Sequence, residues 1–474
     1  MTSAERLHAF GDDALGHDDA TGVAARIASG EITAAEAVEA AIHRIAQVNP
    51  TLNAQAFDDY ARARARASRL NRPRGAFGGV PSGLKNNVHI QGMPLTFGSK
   101  AMPTSPKTRN GAFVEQFLST GTIPICTTQT PEFGWTATTE RLGGDVTRNP
   151  WNPQYSPGGS SGGTAALVAA GALPFAHGND GGGSIRIPAA ACGLVGLKPS
   201  RGRTGGDPIS ARMPVDLVSH GVLTRSVRDT ARFFHALEAV YPAPKLARIG
   251  LAEHPPTRPL RIGLLIDSPS APNPTDAETR RVVEATARTL TQAGHTVVDY
   301  TPSLSHSFRR DFEDYWSLLA FTIATQGRRL FGPEFRTSGL DPFTLGLSRR
   351  FLRRSPRIPL VVARLAASRL AFDREIRRQM DLLLSPVLCH TTPLIGHLSA
   401  DQPFEQHFER LIAYVGFTPL HNATGAPAIS LPVGLSSDGL PIGVMLSSRV
   451  GHERTLLEIG FELEEAMPFP RIDA

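Results

Sequence analysis

Three cysteines in 474 residues, Cys126, Cys192 and Cys389, are too few and too scattered for a disulfide framework or a paired-thiolate metal site, and they read as buried free thiols. Long apolar runs are missing too. The longest candidate, residues 164–176, is too short to cross a bilayer and is broken by Gly171 and Pro174. The N-terminal MTSAERLHAFGDD has acids where a secretory leader needs an apolar core, so a cytoplasmic protein is expected. Lysine is the scarcest charge. Only Lys85, Lys100, Lys107, Lys198 and Lys245 occur, beside 44 arginines. A guanidinium does not deprotonate in proteins, so wherever this chain needs a basic side chain that can exchange a proton, arginine is excluded. That singles out Lys85, which lies in PSGLKNNV with no carboxylate beside it.

The net charge of +6 does not indicate a nucleic-acid partner. Residues 349–378 hold ten arginines against Asp373 and Glu375, a surplus larger than that of the whole chain. The reading is a solvated helical face, with contact to a membrane, an anionic group or a partner as its other uses. Hydrophobic content of 41% with 19% charged residues is that of a soluble globular enzyme.

Val23, Ile27, Val38, Ala41, Ile42 and Ile45 recur near the helical period, with a break at Gly30 and an end expected before Pro50. A polar helix is expected over 58–70, strands in GGVPSGLKNNV and at 121–130, and an irregular, functional stretch over 131–163. A small-residue helix follows at 164–172 and another helix at 229–240. The proline-rich stretch after it reads as a surface loop. RIGLLID at 261–267, a helix opened by capping-box spacing from Thr275 to Glu278, and HTVVDY predict a parallel strand pair with a right-handed crossover. Residues 301–380 read as helical, their aromatics mostly core with a few lining a pocket. Strands at 382–389 and 427–434 and a helix at 452–466 complete the pattern. Together these predict an α/β fold, a single α/β/α domain over 1–474 with a large mixed sheet covered by helices on both faces.

What the chain has in abundance is glycine around two serines. Residues 157–188 read PGGSSGGTAALVAAGALPFAHGNDGGGSIRIP. Ser160 and Ser184, with Lys85 upstream, supply two hydroxyls and an amine, and the amides of Gly181, Gly182 and Gly183 can converge on one point to form an oxyanion hole. That is a parts list for acyl transfer without histidine or metal. Lys85 would act as a base only if neutral, which requires a pKa depression of about 3 units, the size of shift that burial supplies.

The order GxKxN, PGGSSGG, GxDxGGSIRxPA and CGLVGLKPSRGR resembles the amidase signature family, over about 20–240 and again at 412–465. The resemblance implies Ser184 as acyl-forming nucleophile, Ser160 after a cis peptide bond as proton shuttle, and Lys85 as base. It implies supporting positions at Ser161, Asp180 and Arg186, a small-molecule amide as substrate, and neither metal nor organic cofactor. Lys198 is expected to be structural. The form of the motifs is similar to bacterial amidases and the 6-aminohexanoate cyclic-dimer hydrolase branch. Ile187 stands where the transamidosome glutaminase subunit typically has glutamine. Asn86, Asn179 and Gly181 depart from the family's usual residues, and 300–411, the region expected to shape the substrate pocket, matches no motif. Three other readings stay open: a histidine-dependent esterase built on G-x-S-x-G with His421 or His452, an amidotransferase subunit, and a non-catalytic anion-binding subunit. A homodimer is among the assembly states left open.

Overall fold

The structure, a computed structural model, describes residues 6–206, 212–302 and 307–474. Its thirteen strands are β1 (Gln55–Asp58), β2 (Pro81–Lys85), β3 (Ile123–Thr128), β4 (Glu140–Arg141), β5 (Asp145–Val146), β6 (Phe175–Asp180), β7 (Val195–Lys198), β8 (Ser219–Thr224), β9 (Arg261–Leu264), β10 (Thr296–Asp299), β11 (Leu382–Pro386), β12 (Ala428–Leu435) and β13 (Pro441–Ser447). Eleven form one sheet in the order β1-β3-β2-β6-β8-β7-β12-β13-β11-β9-β10, and β4 and β5 make a small separate pair. The sheet is mixed. Strands β3, β2 and β6 run parallel, as do β11, β9 and β10, while the strands between them alternate in direction.

Side-chain alternation divides the core in two. Leu382 and Leu384 of β11, and Val444 and Leu446 of β13, face the larger apolar cluster with the helices at 20–29, 34–52, 227–240, 277–292 and 453–466. Leu383 and Met445 face the other cluster, with Phe308, Tyr315, Phe343, Leu347 and Leu365 from the helices at 308–331, 342–354 and 358–379. Both faces of the sheet are therefore covered, as the pattern predicted. Among the described residues no helix is long and apolar enough to cross a membrane.

Most expected elements are present, and the β9–helix–β10 unit is a parallel pair. The first residues of the expected 301–380 helical region, 303–306, lie outside the described residues. Two expectations need correction, and one strand was not expected. The helix at 34–52 passes through Pro50 instead of ending before it. Pro50 falls in the last turn and forfeits one ladder bond, while Asn49 Oδ1 accepts the amides of Ala54 and Gln55 at 2.8 and 2.9 Å. The helix at 277–292 is capped by Asp276, whose carboxylate accepts Thr279 N–H, and not by Thr275, whose hydroxyl donates to Ile266 O. Strand β6, FAHGND, has almost no β-propensity and gave no local signal; it is a strand because β2 and β8 pair with it on both sides.

Leu384 is fully buried between β9 and β13. Leu384→Ala is expected to lower stability by about 2–5 kcal/mol, read as a fall in Tm, with hydrolytic activity retained below the new transition.

Candidate active site

Parallel pairing of β2 with β6, with Ser82 opposite Phe175 and Gly83 opposite Ala176, sets two chain segments side by side at their carboxyl ends, where open α/β sheets leave a crevice. Lys85 is the last residue of β2, Asp180 the last of β6, and Ser184 comes just after. Ser160 precedes the helix at 162–169. That helix sits against the chain because Gly163 has no side chain: a Cβ there would lie 2.5 Å from the backbone oxygen of Ala54. The peptide bond between Gly159 and Ser160 is cis, as the family resemblance implied.

Lys85 is fully buried, with Nζ 2.7 Å from Ser160 Oγ and donating to Asn179 Oδ1 at 2.7 Å. Burial pushes the amine down to about 7, against the opposing pull of the Asp180 carboxylate. Its backbone N–H donates to His177 Nδ1 at 3.2 Å, and the His177 ring lies against Phe113. Asn179, noted in the sequence only as a departure, is thus the second partner of the amine. No motif could have assigned it; the register of β2 against β6, Ser82 opposite Phe175 and Gly83 opposite Ala176, brings the end of β6 to the level of Lys85.

Ser184 and Ser160 line the same cavity of about 190 Å³. Ser184 Oγ has no hydrogen-bond partner among the described residues, and its carbonyl accepts Ser161 N–H at 3.3 Å. Ser161 Oγ donates to Asn179 O at 3.4 Å, so Ser161 ties the two serine segments together.

Asp180 and Arg186 brace the glycine turn between them. Arg186 Nε and Nη2 donate to the two Asp180 oxygens at 2.9 Å each, both side chains being fully buried. Burial works against ionisation of Asp180, but the Arg186 guanidinium and the Lys198 amine outweigh it and hold the carboxyl well below the usual range. Its oxygens also accept Gly183 N–H at 2.7 Å and Ile185 N–H at 3.2 Å. The three glycines expected to form an oxyanion hole are placed differently from one another. The Gly183 amide is committed to Asp180, whereas Gly181 and Gly182 line the cavity, and no partner engages their amides among the described residues. Gly183 is instead required for space, since it has φ +136° and a Cβ would lie 2.6 Å from Ile187 Cδ1. Lys198, expected to be structural, is buried and donates to Pro199 O at 2.7 Å.

The departure at position 86 has a physical account. Asn86 Nδ2 donates to Pro94 O at 3.0 Å while Oδ1 accepts Thr96 N–H at 2.8 Å. An ionised aspartate could only accept, so the amide is what fits this loop.

The cavity wall comes from the stretch that no motif could place. Phe308, Phe312 and Trp316 of the helix at 308–331 line it, opposite Phe133 and Trp135. Tyr315 is core instead, its hydroxyl donating to Val215 O at 2.7 Å. Glu313 and Arg309 carry the charges that face the cavity, and they pair at 3.5 Å, with Arg350 2.8 Å from Glu313 on the other side. No histidine lines it among the described residues. His421 lies 3.2 Å from Arg186 Nη1 and is buried, and no strand leads into Ser160, so the strand–elbow–helix of a histidine-dependent esterase is not formed.

Comparison with known proteins agrees with this geometry. The amidase family profile matches residues 36–457, a span that includes the 300–411 stretch. AmiC of Mycobacterium leprae (strain TN), which carries an amidase name, is 43% identical over 476 residues, covering 99% of each chain. The 6-aminohexanoate-cyclic-dimer hydrolase of Pseudomonas sp. (strain NK87) is 34% identical over 478 residues, covering 95% of each. The solved structure of 6-aminohexanoate cyclic dimer hydrolase superposes with a TM-score of 0.86 at 32% identity, covering 98% of this chain and 99% of that one.

A buried amine whose pKa falls from 10.5 to about 7 costs the fold stability. The unfolded chain holds the proton up to the ordinary lysine range, so the cost is full below about pH 7 and fades as pH rises toward that range. Lys85→Met is therefore expected to melt at a higher temperature than wild type at pH 6, with the gap narrowing by pH 9, while hydrolysis falls by about a thousandfold or more.

Proposed function

The chain belongs to the amidase signature family of hydrolases, and from that premise we propose that it cleaves a carboxylic amide through an acyl-enzyme on Ser184. The observation that carries this reading is the Lys85 amine, sealed from water 2.7 Å from Ser160 Oγ with a pKa near 7. Ser184 Oγ attacks the amide carbon. Its proton passes to Ser160 Oγ, whose own proton goes to Lys85 Nζ. The oxyanion is held by the free amides of Gly181 and Gly182, where each such donor is worth about 3–4 kcal/mol. The tetrahedral intermediate collapses as Lys85, through Ser160, returns the proton to the leaving nitrogen. Water then attacks the acyl ester by the same relay, giving carboxylate and free enzyme. Asn179 accepts one N–H of the amine and so turns its lone pair toward Ser160.

The substrate we propose is a small neutral amide with an apolar group. Aromatic and aliphatic side chains form the cavity wall, and its charged side chains already pair with one another, which leaves, among the described residues, no ionic partner for the ammonium and carboxylate of free glutamine. An amidotransferase subunit is therefore the weaker reading. We place the protein in the cytoplasm, a reading supported by its three buried free thiols.

A panel of anilides, alkyl amides and glutamine tests the proposal. Neutral apolar amides are expected to turn over, and Ser184→Ala to lose at least about a thousandfold in kcat/KM. Glutamine as the preferred substrate, or activity that survives Ser184→Ala, would sink it.

The acylation rate is expected to fall as pH drops through about 7, because Lys85 then holds its proton and cannot accept another. In Asn179→Asp a carboxylate would sit against the amine and favour its charged form. The acid limb is expected to move up by about 1–3 pH units, with the rate recovered in alkali. Stopped-flow acylation against pH measures both.

A further inference from the structure

The arginines of residues 349–378 fall into two groups. Arg350, Arg354 and Arg364 pair with Asp311, Glu313 and Asp314 of the helix at 308–331 at 2.6–4.0 Å, and Arg377 pairs with Asp373. Those acids neutralise the paired group. Arg349, Arg353, Arg357, Arg369, Arg374 and Arg378 are exposed, and none has an ion-pair partner among the described residues. Of the two acids within the segment, Asp373 is taken by Arg377 at 3.1 Å, and Glu375 is only partly exposed.

Apolar side chains share this outward surface. Leu352, Leu360 and Leu370 are 60%, 51% and 65% exposed, three of the largest such exposures among the described residues. The helix at 358–379 buries Val361, Leu365, Phe372 and Ile376. On its opposite side Leu360, Ala363, Ala367, Leu370 and Ala371 recur at helical spacing, all exposed. A helix packed into a globular protein needs one apolar stripe, and this one has two.

We propose that this face docks the protein reversibly on an anionic lipid surface. The unpaired arginines meet lipid phosphates while the leucines enter the boundary between headgroups and acyl chains. Charge and apolarity together select this occupant. A second copy of the chain would bring like charges face to face, and a nucleic acid would leave the leucines in water.

The test is co-sedimentation of the full chain with vesicles of phosphatidylcholine alone or mixed with phosphatidylglycerol. Binding is expected to the mixed vesicles at about 0.1 M salt, to be lost at about 1 M, and to be weak on phosphatidylcholine alone. Arg353→Glu/Arg357→Glu/Arg374→Glu and, separately, Leu360→Ser/Leu370→Ser should each weaken binding by about tenfold or more, with hydrolysis of a soluble amide unchanged as the check on folding. The salt titration on wild type stands without any variant. No binding to mixed vesicles, equal binding to both lipids, or binding that survives both sets of substitutions would overturn the proposal. Retention on a soluble polyanion without vesicle binding would overturn it in favour of a nucleic-acid-like partner.

Discussion

The Lys85 amine sits out of reach of water, held between Ser160 Oγ and Asn179 Oδ1 at 2.7 Å each. An ammonium in that setting loses its hydration and gains only two neutral oxygens, so burial brings its pKa to about 7. Much of the surrounding structure can be understood as keeping that arrangement in place. The parallel β2–β6 pairing fixes the height of Lys85 relative to Asn179, and His177, packed on Phe113, accepts the Lys85 backbone N–H. The absence of a carboxylate in contact with Nζ matters as much as any contact present, because such a neighbour would keep the proton on.

The negative charge in this region is moved one residue along and spent on geometry. Asp180 is ionised, but Arg186 takes both its oxygens, and the same oxygens grip the amides of Gly183 and Ile185. A buried pair of this kind contributes little net stability of its own, since desolvation offsets attraction. It braces the glycine turn whose Gly181 and Gly182 line the cavity. Asn422 extends the brace, donating to Asp180 and accepting from Arg186 at 2.8 Å, so the C-terminal third of the chain helps hold the turn.

The floor and the wall of the cavity have different origins. The floor is glycine, serine, lysine and short strands in which an added Cβ meets backbone within 3 Å at several positions, and little can vary there. The wall is a set of apolar side chains from helices whose only demand is to present bulk. A floor so constrained beside a wall so tolerant fits relatives that share 34% or 43% of residues with this chain over nearly their full length.

Much of the site was legible because its residues carry local constraints. Two glycine-flanked serines and one of only five lysines beside 44 arginines are unusual in composition, and the motif order points to Lys85, Ser160, Ser184, Asp180 and Arg186 as the candidate residues. Helices with strong periodicity and the parallel β9–β10 unit were legible for the same reason. Strand β6 was not, because its polar residues are strand-forming only through the neighbours on both sides. The role of Asn179, the diversion of the Gly183 amide to Asp180, and the sorting of ten arginines into paired and unpaired groups were also hidden. The sequence by itself determined which chemical groups are available and that a mixed α/β sheet would carry them, since both follow from residue type and short-range spacing. Only the tertiary structure decided which amide points where, which amine is dry and which charge is already matched, because those depend on distances between residues dozens to hundreds of positions apart.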